Sequence, residues 1–114
     1  MSSDASSRTS SLESVKAFWE ETPCGEHFVE GLREGSPEYF ARITGERYRW
    51  EYHLPAFLDE VAAAAKGGKV LEVGSGMGID ASELAGRGCQ VTGIDFIEEA
   101  ISRARRKAAG RGCR

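Results

Sequence analysis

The sequence predicts an α/β fold: a parallel sheet, of which the first two βα units are present, behind a helical amino-terminal extension. Three observations carry this. Lys69–Val73 and Gln90–Ile94 are short apolar segments with strand character. Each is followed by residues with helical spacing, and strands that alternate with helices imply a parallel sheet with helical crossovers. Before Lys69 the apolar residues recur at helical spacing instead.

A chain of 114 residues fits one domain. Its 40% hydrophobic and 29% charged residues are ordinary for a soluble globular protein. A net charge of −3 points neither to a nucleic-acid binder nor to a disordered acidic tail. No apolar run approaches the roughly 18 residues of a membrane span. The start lacks the basic and apolar segments of a signal peptide. Cys24, Cys89 and Cys113 are odd in number and widely spaced. They read as reduced thiols in a cytoplasmic setting, with no metal-ligand pair.

Residues 1–11 are mostly serine with small or polar companions and read as a disordered tail. Residues 12–66 read as the helical extension, and 67–114 as the amino-terminal half of a cofactor-binding domain. Ser10 and Glu13 have capping-box spacing, and Leu12, Val15, Phe18 and Trp19 then share one helical face. Thr22-Pro23 ends that helix. Cys24–Gly35 reads as a loop with room for a short helical piece. Ser36-Pro37 is a second start signal, with Tyr39, Phe40 and Ile43 behind it and Gly45 as an interruption. Arg47–His53 suits a continued helix better than a strand. Pro55 opens a further helix with Phe57, Leu58, Val61 and Ala62 facing inward, and Gly67-Gly68 stops it. Helices are then expected at about Gly78–Gly86 and Ile97–Ala109. The last carries Ile97, Ala100, Ile101, Ala104 and Ala108 on one face and Glu98, Glu99, Arg103 and Arg106 on the other.

The most informative run is Val70-Leu71-Glu72-Val73-Gly74-Ser75-Gly76-Met77-Gly78. It is a strand ending in an acidic residue and a turn with glycine at every second position. Glycine permits a tight turn and close approach of a ligand to the main chain. Val91-Thr92-Gly93-Ile94-Asp95 is a second apolar strand closing on a carboxylate, with Asp95 lying 21 residues beyond Gly74. A carboxylate there suits ribose hydroxyls. The dinucleotide fingerprint G-x-G-x-x-G would want its third glycine at Ile79, so the third glycine comes one residue early.

These residues, with Gly93-Ile94-Asp95, resemble the class I S-adenosylmethionine-dependent methyltransferases. The resemblance runs from about Lys69 to the end. Phe18-Trp19 and Thr22-Pro23-Cys24-Gly25 are less specifically similar to the helical lead-in of some bacterial methyltransferases. The resemblance implies a Rossmann-like sheet and S-adenosyl-L-methionine as cofactor. It places the main chain of Gly74, Ser75 and Gly76, with Gly78 closing the turn, along the methionine part. It puts Glu72 on the amino group, Asp95 on the ribose and Phe96 on the adenine. Sulfonium and ammonium favour carboxylates, and a purine favours an apolar wall. Strand-end solvation remains the other reading for Glu72 and Asp95, and core packing for Phe96. The family's sheet has seven strands and this sequence supplies two. Its acceptor-binding and catalytic positions, mostly from loops after later strands, have no counterpart here. The chain therefore reads as an amino-terminal piece of a longer enzyme, a truncated product, or a partner in something larger.

Other candidates have plainer readings. Arg103, Arg105, Arg106, Lys107, Arg111 and Arg114 form a basic end. Cations suit a helix carboxyl end, and Arg103 falls four residues after Glu99. A nucleic-acid partner is therefore not expected, and the expected acceptor is a small molecule. His27 beside Glu26 has general-base chemistry but reads as a surface histidine. Tyr39, Phe40, Tyr48, Trp50 and Tyr52 either cover an acceptor or pack the extension onto the sheet. Two strands leave an open edge and an uncovered face through which the chain could associate.

Overall fold

A computed structural model describes residues 11–21 and 26–110. Residues 1–10 of the expected tail, Cys24 and Cys113 lie outside the described residues. The elements are α1 (Leu12–Glu21), a 3-10 turn (Glu26–Phe28), α2 (Pro37–Trp50), α3 (Leu54–Ala65), β1 (Lys69–Val73), α4 (Ile79–Gly86), β2 (Gln90–Ile94) and α5 (Glu98–Gly110).

The start of α1 is held by Ser11, whose Oγ accepts the Ser14 N–H at 3.1 Å. Ser10, half of the expected capping box, lies outside the described residues. The apolar stripe of α1 forms but does not pack, because the helix buries none of its residues. Ser36 caps α2 as expected, its Oγ accepting the Tyr39 N–H at 3.2 Å. This helix buries Tyr39, Phe40 and Ile43 and runs on through Gly45 to Trp50, where an interruption was expected. A helical glycine costs about 1 kcal/mol, which packing on either side of it outweighs.

In α3 Leu58 is buried, whereas Phe57, expected inward, is exposed. Successive helical residues point about 100° apart. With Leu58 turned down onto the core beside Val61, Ala62 and Ala65, Phe57 falls at the edge of the stripe. Lys66 ends α3 in the left-handed conformation, with φ 50°.

β1 and β2 pair in parallel from Lys69 with Gln90 to Val73 with Ile94. Side chains alternate across a strand. Val70 and Val91 share one face and pack against Leu58, Leu84 and Cys89. The opposite face is bare, with Leu71 61% and Val73 74% exposed. A second core cluster joins Val29, Tyr39, Phe40, Ile43 and Ile79, and Tyr48 borders both clusters.

The polar side of α5 departs from expectation. Arg103 forms the expected pair with Glu99 at 2.9 Å, but it is buried, and so is Lys107. Arg103 also reaches Glu34 at 3.1 Å. That partner is 69 residues away, so helical spacing gave no sign of it.

Candidate functional site

Parallel pairing sets the carboxyl ends of β1 and β2 side by side, and the residues after each strand meet there. After β1 the chain turns through Gly74, Gly76 and Gly78, at φ 72°, 54° and 75°. Such angles cost any residue with a Cβ. The N–H groups of Gly74 and Ser75 donate to the Ile94 carbonyl at 2.8 and 3.0 Å. After β2 the Asp95 carboxylate accepts the Gly76 N–H at 2.8 Å and the Ile97 N–H at 2.9 Å. The glycine turn is thus fastened to the tip of β2 through both main chain and side chain. Gly93 makes this approach possible, since a Cβ there would stand 2.8 Å from Ser75 Cβ and Oγ.

A cleft of about 750 Å³ opens over the two strand tips. Glu72, Gly74, Ser75, Gly76, Asp95 and Phe96 all line it. Phe96 is 45% exposed, so it is a cleft wall and not core. Ile79 is core. Gly78 stands apart from the cleft lining. It is the buried N-cap of α4, and a Cβ there would lie 3.2 Å from Ala104 Cβ. Its missing side chain lets α4 approach α5.

The outer wall comes from the helical extension, with Ile43, Arg47 and Trp50 of α2 and Trp19 of α1. Of the aromatic group, Trp50 faces the cleft, Tyr39 and Phe40 are core, and Tyr52 is exposed. His27 is exposed.

The cleft also holds a charged network that sequence reading missed. Asp80, in the first turn of α4, binds Arg47 through Nε to Oδ1 at 3.0 Å and Nη2 to Oδ2 at 2.6 Å. Tyr48 donates its hydroxyl to Oδ1 at 2.8 Å, and Arg47 Nη1 reaches Glu51 Oε2 at 2.9 Å. Burial alone would raise the Asp80 carboxyl, but hydrogen bonds from Arg47 and Tyr48 outweigh it and hold it below its ordinary range. Asp80 in turn holds the Arg47 guanidinium firmly charged. Burial, then the hydrogen bond to Asp80, push the Tyr48 phenol up, so it stays a donor. Glu72 has no such help. Burial first, then the Asp80 charge, push it up to about 7, with Arg47 pulling the other way. An acidic residue just after a glycine turn was a visible sign of Asp80. Nothing local marks Arg47 as its partner, 33 residues earlier.

Among the described residues, no group of three or more His, Cys, Asp or Glu could hold a metal ion, and no helix is long and apolar enough to cross a membrane. The donor set suits an organic cation bearing a diol and a purine: two carboxylates, a glycine cradle and an exposed phenyl wall. The volume falls within the roughly 300–1,000 Å³ of small-ligand sites.

Comparison with known proteins agrees with this chemistry. A family model described as a methyltransferase domain matches residues 64–114. Over 57 residues the chain is 40% identical to the 23S rRNA (uracil(747)-C(5))-methyltransferase of Pyrococcus abyssi (strain GE5 / Orsay), a match covering 50% of this chain and 14% of the relative. No solved structure matches the chain. Both matches are to methyltransferases, in accord with the resemblance to the class I S-adenosylmethionine-dependent family read from the sequence. Two parallel strands with their helices are compatible with part of a Rossmann-like fold.

Proposed function

We propose that this chain binds S-adenosyl-L-methionine over the tips of β1 and β2 and serves methyl transfer. The observation that carries the reading is the fastening of the glycine turn to Asp95 beneath the cleft. Asp95 is fixed by two N–H groups and still has free acceptor directions on both oxygens for ribose hydroxyls. Glu72 offers a carboxylate to the cofactor's amino group, and Phe96 an apolar face to its adenine. When bound, the cofactor supplies an electrophilic methyl group on sulfonium. The residues of this chain position it and exclude water.

The charge of the cleft favours a small neutral or cationic acceptor. Phosphate recognition draws on lysine and arginine. Here Arg47 is held by Asp80 and Glu51, and Arg103 by Glu34 and Glu99. Glu72 and Asp95 add further negative charge. RNA is the second reading, favoured by the name of the Pyrococcus relative. Net charge alone is therefore not a sufficient ground for setting a nucleic-acid partner aside.

Titration calorimetry with S-adenosylhomocysteine tests the cofactor site. Binding is expected for the 114-residue chain, with Asp95→Ala weakened about tenfold, on the order of 1.4 kcal/mol. No heat from the parent chain, or equal affinity in the variant, would sink the reading. Labelled methyl transfer into ribosomal RNA and into a small-molecule extract separates the acceptors. Label in the RNA alone favours the second reading.

A further inference from the structure

The methyltransferase match begins at residue 64, yet one wall of the cleft comes from α2, before that segment. The element is joined to the cleft by a two-point ion pair. Arg47 spans both oxygens of Asp80 at 3.0 and 2.6 Å and adds Glu51 at 2.9 Å. A guanidinium is planar and suits this two-oxygen grip, which a lysine cannot reproduce.

Glu72 lines the same cleft as Arg47 and Asp80. It points from β1 onto the covered side of the sheet, half-buried. The charged groups acting on it are Asp80 from α4 and Arg47 from α2. Lys107 of α5 and Tyr48 of α2 act on Asp80. Asp95, at the end of β2, is turned onto the Gly76 and Ile97 N–H groups. Two carboxylates sharing a partly buried site cannot both ionise cheaply, and one takes up a proton unless a cation intervenes. Arg47 is that cation, and its grip leaves Glu72 to face the cleft.

We propose that Arg47 is a positioning residue of this cleft: its clamp on Asp80 lets Glu72 stand there as a carboxylate, ready for the cationic amino end of the cofactor. The second half of this statement rests on the cofactor reading above. The first half does not, and it can be tested without ligand.

The clamp is tested by carbon-13 NMR titration of the Glu72 side chain in the ligand-free 114-residue chain. The parent midpoint is expected near 7. Arg47→Gln should raise it by about one pH unit, and Asp80→Asn should lower it toward the ordinary carboxylate range. Combining the two should cancel most of the Arg47→Gln effect, because the charge being compensated is gone. An Arg47→Gln midpoint equal to the parent's overturns the proposal. If Arg47→Gln does not fold, the Asp80→Asn titration decides: an unmoved midpoint overturns it equally.

The link to the cofactor is read from S-adenosylhomocysteine affinity between pH 6 and 9. At pH 7 Arg47→Gln should bind about fivefold more weakly than the parent, and the two should converge by pH 9. A merely structural role for Arg47 would weaken binding equally at every pH, which overturns the proposal. Glu72→Gln should flatten the pH profile. A parent chain that binds no S-adenosylhomocysteine overturns the cofactor reading and the second half of the proposal, while the ligand-free titration still decides the clamp.

Discussion

Glu72 is a carboxylate that the fold holds at a cost. Its folded value of about 7 lies above its ordinary 4.5, with burial the first cause and the Asp80 charge the second. The folded state therefore holds the Glu72 proton more tightly than the unfolded chain does. Stability from this residue is present at low pH, falls as pH rises from about 4.5 to 7, and stays lost above that. Glu72→Gln keeps the shape and removes the charge. It should stabilise the chain at pH 8 by about 1 kcal/mol, solvent screening having reduced what full burial gives, and the gain should vanish near pH 5. Thermal melts at the two pH values measure it, and a gain of equal size at both would contradict this account. The placing of Glu72 and Asp95 at one strand-end cleft was legible because a strand end followed by a glycine turn or a loop is a local pattern. Arg47 was not, since its grip on Asp80 exists only after α2 has folded back onto α4.

At the scale of elements, β1 and β2 occupy the same residues that their sequence indicated, Lys69–Val73 and Gln90–Ile94. An apolar run bounded by glycine and too short for a helix is a local signal for a strand. The helices were legible in number and position, but their packing was not. Periodicity shows which residues share a face and is silent on whether anything covers that face. The stripe of α1 forms and stays exposed, while α5 buries Arg103 of its polar face and Lys107 of the basic end. Gly45 shows the same limit. Glycine is a weak helix former, yet α2 continues because Tyr39, Phe40 and Ile43 pack before it and Tyr48 after it. Gly45 is helical and exposed, and a Cβ there meets nothing within 4 Å. Gly45→Ala should therefore stabilise the chain by about 0.5–1 kcal/mol, read from the urea midpoint. A loss of stability would mean that α2 does not run unbroken through this position.

At the scale of the whole molecule, the sheet is covered on one side. Leu58, Leu84 and Cys89 pack beneath Val70 and Val91, while Leu71, Val73 and Ile94 face outward on the other side. Among the described residues no side chain is fully buried, so the core is shallow and split into two clusters. Parallel strands are ordinarily covered on both faces, and a bare apolar face offers water an unfavourable surface. The dye anilinonaphthalene sulfonate reports such surfaces by its fluorescence. Replacing Leu71 and Val73 together by threonine puts a β-branched residue at each position and reduces the apolar area of that face. Dye fluorescence should fall by about half, the remainder coming from Ile94 on the same face and from Leu12 and Phe18 on α1, which are also exposed. Stability should change by less than about 1 kcal/mol, because substitutions at exposed positions are individually worth about 0.5 kcal/mol or less. Unchanged fluorescence would mean that this face is already covered in solution. A large loss of stability would mean that Leu71 and Val73 are packed, and the one-sided sheet described above would then be wrong.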